Sequence, residues 1–267
     1  MAWRRVTCDS PRVSAPTRTY DEVVATLRAA GCVYAEDEAA LILAEGGDVE
    51  ALVARRVAGE PLEWVLGWAE FADLQLVVRP GVFVPRRRTE LLAAQAIARL
   101  RPAGVAVELC CGAAPVAAAI LQEVPFAEVH AADIDPVAVA CARENVPNGN
   151  VHQGDLYDAL PIDLRGRVDV LVANTPYVPT DEVALMPPEA RDHEPRHTLD
   201  GGPDGLALLR RISTGATTWL SSGGHLLIEV SARQLPTAMA VFERDGLLPS
   251  YAESDELDAT VVAGRAP

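Results

Sequence analysis

The sequence predicts an α/β protein built around a doubly wound, mostly parallel sheet. From residue 86 onward, short apolar runs alternate with segments of helical periodicity, which is the pattern of repeated strand and helix units. Several strand regions end on a polar residue: Glu108, Asp133, Asp155 and Asn174 follow one another at intervals of 25, 22 and 19 residues. Because parallel strands end at the same edge of a sheet, we expect these four side chains to line one edge.

The N-terminal part, residues 1–63, is predicted to be a small bundle of helices. Thr19 and Glu22 have the spacing of a capping box that opens a helix ending near Gly31. A second helix is expected over 35–45, and a third begins after Asp48, a typical N-cap residue. We expect this bundle to form a separate domain.

Residues 64–85 are predicted to form a β-hairpin linker, because their apolar residues fall into short extended pieces around a proline and a glycine. The α/β domain then occupies residues 86–267. Its helices are expected over 89–100, 115–123, 136–144, 203–217 and 234–245, and its strands over 105–109, 128–134, 150–152, 168–174, 225–230 and 259–263.

The composition favours a cytoplasmic protein and disfavours nucleic acid and membrane as partners. A net charge of −15 opposes tight binding to phosphate backbones. Five cysteines, an odd number without CxxC spacing, indicate reduced thiols. The longest apolar stretch, 105–120, is shorter than a membrane span and contains Glu108. The histidines lack metal-ligand spacing, so we expect no metal site, and we expect a monomer.

The strand that ends at Asn174 is the most informative site in the sequence. It is followed by Thr175, Pro176 and Tyr177. The amide of Asn174 offers one acceptor and two donors, the proline stiffens the backbone, and the tyrosine supplies a flat ring with a polar tip. This combination can hold a planar amide or an amino group.

Two further strand ends indicate a cofactor. The turn after Glu108 contains Gly112, and a glycine-rich turn lets a nucleotide-type cofactor approach the backbone, although a simple tight turn would have the same sequence. Asp133 lies where an acidic side chain commonly binds ribose hydroxyls, while Asp135 is placed to cap the next helix. Asp155 can bind an adenine amino group or serve as a turn residue.

These residues resemble class I S-adenosylmethionine-dependent methyltransferases, and specifically the family that methylates the glutamine of peptide chain release factors. The resemblance extends over most of the chain. Besides the strand ends, it includes Gly59-Glu60-Pro61-Leu62, Pro85-Arg86-Arg87-Arg88-Thr89-Glu90, His193-Glu194-Pro195-Arg196 and Leu199-Asp200-Gly201-Gly202-Pro203-Asp204-Gly205-Leu206.

The resemblance implies S-adenosylmethionine as cofactor, a release factor as protein substrate held partly by the N-terminal domain, and a role in translation termination. Its cofactor residues would be Arg86, Thr89, Glu108, Cys110, Gly112, Asp133, Ile134, Asp155, Leu156 and Asn174. Asn174 and the carbonyl of Thr175 would accept hydrogen bonds from the substrate amide, and Pro176 and Tyr177 would complete the catalytic segment.

The sequence departs from the family pattern at three places. Thr175 replaces the second residue of Asn-Pro-Pro-Tyr, Cys110 and Ala114 replace glycines of the cofactor loop, and an arginine replaces a proline within residues 85–90. The glycine replacements are expected to be tolerated if the backbone there does not need a positive φ. Two alternatives stay open: a methyltransferase for another amide or amino nitrogen, including a small metabolite, and a non-catalytic binding module.

The polar connection after Tyr177 has two interpretations. It contains His193, Glu194 and Arg196, and long polar connections near a ligand site often act as lids. A solvated loop is the alternative.

Overall fold

A computed structural model describes residues 18–267 of the chain. Its contacts divide the chain into two compact units, with the division between Leu66 and Gly67. The first 17 residues of the predicted N-terminal domain lie outside the described residues. The predicted boundaries after residues 63 and 85 stay a prediction, and the observed division falls inside the predicted linker.

The first unit contains four helices. They are α1 (Tyr20–Ala29), α2 (Ala35–Glu45), α3 (Val49–Val57) and α4 (Leu62–Leu66). The predicted capping box is present, since the Thr19 side chain accepts from the Glu22 N–H and the Glu22 carboxylate accepts from the Thr19 N–H. Asp48 caps α3 through the Ala51 N–H. Residues 64–66 are helical, so the prediction of extended structure there was wrong: their side chains are buried, and burial outweighs their local preference.

The second unit opens with the predicted hairpin, β1 (Trp68–Phe71) and β2 (Leu74–Val77), paired antiparallel. The two turn residues, Ala72 and Asp73, both have positive φ, as a tight hairpin turn requires. The hairpin is anchored through Asn145, whose side chain accepts from the Val77 N–H and donates to the Val77 carbonyl. The hairpin is therefore an integral part of this unit.

The rest of the second unit is a seven-stranded sheet with helices on both faces. Its helices are α5 (Glu90–Ile97), α6 (Pro115–Glu123), α7 (Pro136–Asn145), α8 (Pro188–His193), α9 (Ala207–Trp219) and α10 (Leu235–Arg244). Its strands are β3 (Val105–Leu109), β4 (Glu128–Asp133), β5 (Asn150–Gln153), β6 (Val168–Ala173), β7 (Leu220–Val230), β8 (Leu248–Ser254) and β9 (Ala259–Arg265).

The strand order is β5-β4-β3-β6-β7-β9-β8. The first five strands are parallel, and β9 pairs antiparallel with both β7 and β8. The prediction of a mostly parallel, doubly wound sheet is thus confirmed. Because the chain reverses its direction of winding between β3 and β6, a crevice opens at the carboxyl ends of these two strands.

The sheet is buried between two apolar clusters, one on each face. Strand β3 is buried along its whole length, which explains its continuous apolar sequence.

Strand β8 was not predicted, because it is an edge strand whose residues are mostly partly or fully exposed. Helix α9 begins at Ala207, four residues later than expected at 203. No helix among residues 18–267 is long and apolar enough to cross a membrane.

Candidate active site

A cavity of about 330 Å³ lies at the carboxyl ends of the central strands. This volume is within the usual range for small-molecule sites. All thirteen residues proposed from the sequence line it: Arg86, Thr89, Glu108, Cys110, Gly112, Asp133, Ile134, Asp155, Leu156, Asn174, Thr175, Pro176 and Tyr177. The structure therefore brings them together, while the role of each residue stays a prediction.

The amide of Asn174 is held in one orientation by Thr89, the residue just before α5. Its Nδ2 donates a hydrogen bond of 3.1 Å to Oγ1 of Thr89. Thr89 is buried, with 1% of its surface exposed, so it holds the partly exposed Asn174 amide from the buried side. The bond uses the donor side of the amide and leaves Oδ1 as the atom that can accept from a bound group.

Tyr177 is fixed at its hydroxyl by two charged side chains. The hydroxyl donates to Oε1 of Glu229 at 3.3 Å and accepts from Nη1 of Arg88 at 3.1 Å. Burial, followed by the nearby Glu229 carboxylate, raises the pKa of Tyr177 to about 12. The tyrosine is therefore neutral at physiological pH and presents a fixed ring to the cavity.

The backbone at Tyr177 is linked through Gln234 to residues 199–206, the segment that resembles the family. Gln234 donates from Nε2 to the Tyr177 carbonyl at 2.8 Å and to the Asp204 carbonyl at 2.9 Å. Its own Oε1 accepts from the backbone N–H and the hydroxyl of Ser231. The amide of Gln234 thus joins the site to the loop before α9, which is not helical because Gly202 and Gly205 have positive φ.

The cofactor loop has positive φ at Cys110, Gly112 and Ala114, with values of 52°, 54° and 57°. The condition under which the glycine replacements were expected to be harmless is therefore not met, and two non-glycine residues adopt a left-handed conformation. The Cys110 thiol is neutral, because burial raises its pKa to about 12. The loop still borders the cavity, which is lined by Cys110, Cys111, Gly112 and Ala113.

Glu108 has a structural partner as well as a place in the cavity wall. Its carboxylate accepts from the Ala117 N–H at 2.7 Å and from the Val116 N–H at 3.4 Å, at the start of α6. Burial raises its pKa to about 8, and these two backbone donors oppose the rise. Glu108 therefore secures the helix that follows the cofactor loop.

Asp133 joins two segments of the cavity wall and keeps acceptor capacity. Its Oδ2 accepts from the Gly112 N–H at 2.8 Å and its Oδ1 from the Asp135 N–H at 2.9 Å. A carboxylate has about four lone-pair sites, so roughly two remain for the hydroxyls of a ribose. Asp135 caps α7 by accepting from the Val137 N–H, as predicted.

Asp155 carries a contact that the sequence did not predict. Its Oδ2 forms an ion pair of 2.8 Å with Arg211 of α9, which also lines the cavity. Beside it, Leu156 has a φ of 51°, and Ile134 exposes 60% of its surface. A carboxylate, an arginine and an exposed aliphatic side chain can bind the edge and the face of a nucleobase. With Asp133 for the ribose, the residues present fit S-adenosylmethionine.

The chain segment that contains Glu194 is bonded to Arg86, one of the predicted cofactor residues. Arg86 donates from Nη2 to both carboxylate oxygens of Glu194, at 2.7 and 2.8 Å, and the Val84 N–H donates to Oε1. The Glu194 side chain is fully buried. Arg86 also lies over the ring of Phe83. The interpretation of a solvated loop is therefore wrong at Glu194, because its charge is buried against a partner.

Glu194→Ala is expected to lower the free energy of unfolding by about 2 kcal/mol, because the buried Val84 N–H and the partly exposed Arg86 guanidinium would both lose their acceptor. Glu182→Ala is the matched control. Glu182 makes a bidentate contact with Arg233, but both side chains are exposed, so its loss should cost roughly 0–1 kcal/mol. Urea unfolding of both variants measures the difference, and equal losses would contradict the structural role of Glu194.

Sequence reasoning missed three residues around the cavity. They are Glu229, Arg88 in its contact with Tyr177, and Arg211. Glu229 stands near the end of the apolar run of β7, which is the signal that revealed Glu108 and Asp133. Arg211 gave no signal, since it is one of several arginines on an amphipathic helix. Within residues 18–267, no group of acidic, histidine or cysteine side chains could hold a metal ion.

Known proteins resemble this chain in sequence and in fold. The methyltransferase small domain family matches residues 73–186. A release factor glutamine methyltransferase from Geobacter sulfurreducens is 36% identical over 220 residues, which cover 80% of this chain and 76% of that protein. A 4-amino-L-phenylalanine/4-methylamino-L-phenylalanine methyltransferase from Streptomyces pristinaespiralis is 36% identical over 203 residues, covering 73% and 69%. The crystal structure of a methyltransferase from Pyrococcus furiosus has a similar fold, with a TM-score of 0.56 at 14% identity, covering 81% and 96%.

Proposed function

The chain belongs to the release factor glutamine methyltransferase family and uses S-adenosylmethionine as methyl donor, and from this premise we propose that it methylates the side-chain amide of a glutamine in a peptide chain release factor. The observation that carries the proposal is the orientation of Asn174. Its Nδ2 is bonded to Thr89, so its Oδ1 is the atom that can accept from an incoming amide.

The part of the site that receives the substrate would hold the glutamine amide and polarise it. Asn174 Oδ1 and the Thr175 carbonyl would accept the two N–H groups of the glutamine, while the ring of Tyr177 packs against the amide plane. An amide nitrogen is a poor nucleophile because its lone pair is delocalised into the carbonyl. Two acceptors draw electron density toward the nitrogen, and a fixed position aligns it for attack. No separate general base is needed, since the proton can leave after methyl transfer.

The cofactor side would be held by the strand ends. When bound, S-adenosylmethionine supplies an electrophilic methyl group on a sulfonium. Asp133 would accept hydrogen bonds from the ribose hydroxyls, and Asp155 would contact the adenine beside Ile134 and Leu156. Glu108, Cys110 and Gly112 would border the methionine part, and Arg86 and Thr89 would close the site.

A second candidate is methyl transfer to the amino group of a small aromatic amino acid. Two observations favour it: Thr175 stands where the family has proline, and one of the relatives is named for a 4-amino-L-phenylalanine substrate. An aromatic amine is planar and carries two N–H groups, so the same two acceptors could hold it.

Radiolabelled methyl transfer separates the two functions. Purified release factor, the same factor lacking its target glutamine, and 4-amino-L-phenylalanine would be offered separately. Label in the intact factor alone supports the leading proposal, label in the amine alone supports the second, and label in none of them rejects both.

Thr175→Pro is expected to keep the rate on a release factor within a few-fold of wild type. Proline removes the threonine hydroxyl but keeps the backbone carbonyl, and it favours an extended residue before it. On an aromatic amine, by contrast, the rate should fall if Thr175 serves that substrate. The ratio of the two kcat/KM values measures the effect, and a loss confined to the release factor would contradict this account of Thr175.

Three further predictions from the sequence belong to the same proposal. The N-terminal helical domain would help to hold the release factor, and the protein would act as a monomer in the cytoplasm. Light scattering measures the oligomeric state, and pull-down of the release factor by the full chain compared with surface variants of α1 to α3 measures the binding.

A further inference from the structure

His197 lies between two anchored points of the connection that follows the catalytic segment. Three residues before it, the buried carboxylate of Glu194 accepts two hydrogen bonds from Arg86, at 2.7 and 2.8 Å. Two residues after it, the Leu199 carbonyl accepts from the Val178 N–H at 3.1 Å. The backbone that carries His197 is therefore held on both sides, although its side chain is 57% exposed.

The imidazole of His197 lies next to an acidic side chain in the wall of the cavity. His197, Asp133 and Asp135 all line this cavity. Nε2 of His197 lies 3.8 Å from Oδ2 of Asp135. The cap of α7 uses the other carboxyl oxygen, Oδ1, which accepts from the Val137 N–H at 2.7 Å. Oδ2 is therefore the oxygen that Asp135 directs toward the imidazole.

The gap between these two atoms has the size and the chemistry of a hydroxyl site. A separation of 3.8 Å is too long for a direct hydrogen bond. Two hydrogen bonds of about 2.8 Å each can span it through one oxygen atom that lies between the two groups. A hydroxyl can donate to the carboxylate and accept from an imidazole N–H at the same time, since it has one proton and two lone pairs. This pair of side chains is therefore suited to a sugar hydroxyl.

Asp133, the residue predicted to bind the ribose, belongs to the same turn. Its Oδ1 accepts from the Asp135 N–H at 2.9 Å, which places the two carboxylates side by side. A ribose presents two neighbouring hydroxyls, and each needs a hydrogen-bond partner when it leaves water. The Asp133 carboxylate would bind one of them, and the gap between Asp135 and His197 would bind the other.

We propose that His197 is a cofactor-binding residue, which together with Asp135 binds one ribose hydroxyl of S-adenosylmethionine while Asp133 binds the other. The inference rests on the proposed function, because that proposal places the ribose at Asp133. It also assigns the segment between Glu194 and Leu199 to the cofactor site, since this segment carries the imidazole.

Calorimetry with S-adenosylhomocysteine and its 2′-deoxy and 3′-deoxy analogues tests the proposal. His197→Ala should weaken binding of the complete ligand about 3- to 10-fold, which is the contribution of one hydrogen bond. It should leave the affinity for one of the two deoxy analogues unchanged, because that analogue lacks the hydroxyl that His197 binds. His193→Ala is the control, since His193 ends α8 on the same connection but does not line the cavity, and it should bind all three ligands as wild type does. An equal loss for all three ligands in His197→Ala, or no loss for any of them, overturns the proposal.

Asp135→Ser tests the other side of the gap. Serine is a good helix cap, so α7 should keep its first hydrogen bond, but the second carboxyl oxygen is gone. This variant should also bind the complete ligand more weakly, and the deoxy analogue that escapes the loss should be the same one as for His197→Ala. Urea unfolding without ligand checks that both variants are folded. If the two variants single out different hydroxyls, one hydroxyl does not bridge the two side chains and the proposal is wrong.

These titrations contain no methyl acceptor, which separates this inference from the proposed function. A wild-type protein that binds S-adenosylhomocysteine but does not methylate release factor refutes the proposed function and leaves the comparison of analogues to decide on His197. Methylation of release factor together with an equal loss for all three ligands in His197→Ala refutes the role of His197 alone. Failure of the wild type to bind S-adenosylhomocysteine overturns both.

Discussion

An Asn174→Ala enzyme is expected to lose about 10²- to 10³-fold in kcat, as enzymes do when one preorganised hydrogen-bonding group of the transition state is removed. The loss should be in kcat because the amide oxygen acts most strongly when the acceptor nitrogen develops charge. The Kd for S-adenosylmethionine, measured by calorimetry, should stay within a few-fold of wild type, since the predicted cofactor contacts come mainly from the ends of β3, β4 and β5.

Two further variants test whether the loss of activity is due to the amide group of Asn174. Asn174→Asp keeps an oxygen but cannot donate to Thr89, so it should also be severely impaired. Asn150→Ala removes an asparagine that does not line the cavity, and it should retain wild-type kcat. If Asn174→Ala raised the Kd for cofactor in proportion to its loss of turnover, the residue would serve the cofactor and the proposed amide grip would be wrong.

Gly205→Ala should be one of the most damaging single substitutions in the second unit. A Cβ at this position would lie 2.1 Å from the Tyr177 carbonyl oxygen and 2.3 Å from Nε2 of Gln234, and the residue has a φ of +74°. The carbonyl is backbone, so relief of the clash would move the catalytic segment. Overpacking and left-handed strain together should lower the free energy of unfolding by roughly 3–5 kcal/mol.

Gly166→Ala separates strain from contact in this experiment. Gly166 has a φ of +72°, almost the same as Gly205, but a Cβ there would meet no atom within 4 Å. It should therefore cost only the left-handed strain, roughly 1–2 kcal/mol, and leave kcat unchanged. Urea unfolding and methyl-transfer assays of both variants give the comparison. Similar stability and similar activity of the two variants would show that the Tyr177 carbonyl is not held as the structure indicates.

Much of the fold could be predicted from local patterns. Helix α2, strand β3 and helix α6 begin and end at the predicted residues, because periodicity, caps and an N-terminal proline are properties of neighbouring residues. The edge strand at the antiparallel end of the sheet could not be predicted in the same way. Strand β8 is an edge strand with mostly exposed or partly exposed side chains, so its sequence carries no clear strand pattern.

The candidate site can likewise be separated into residues that the sequence predicts and contacts that only the folded structure shows. The sequence alone was enough to predict several of the residues that line the cavity, because parallel strands end at one edge and the spacing of Glu108, Asp133, Asp155 and Asn174 places one polar side chain at each end. The resemblance to a family added the loop containing Arg86 and Thr89. All of these residues line the observed cavity.

Which side chains act on one another became evident only in the folded structure. Glu194 is paired with Arg86 across 108 positions of the chain, and Thr89 is bonded to Asn174 across 85. The left-handed backbone at Cys110 and Ala114 also became evident only from the folded loop. Local sequence determines where strands and helices end, whereas the partner of a buried charge or amide depends on which distant segments packing brings within hydrogen-bonding distance.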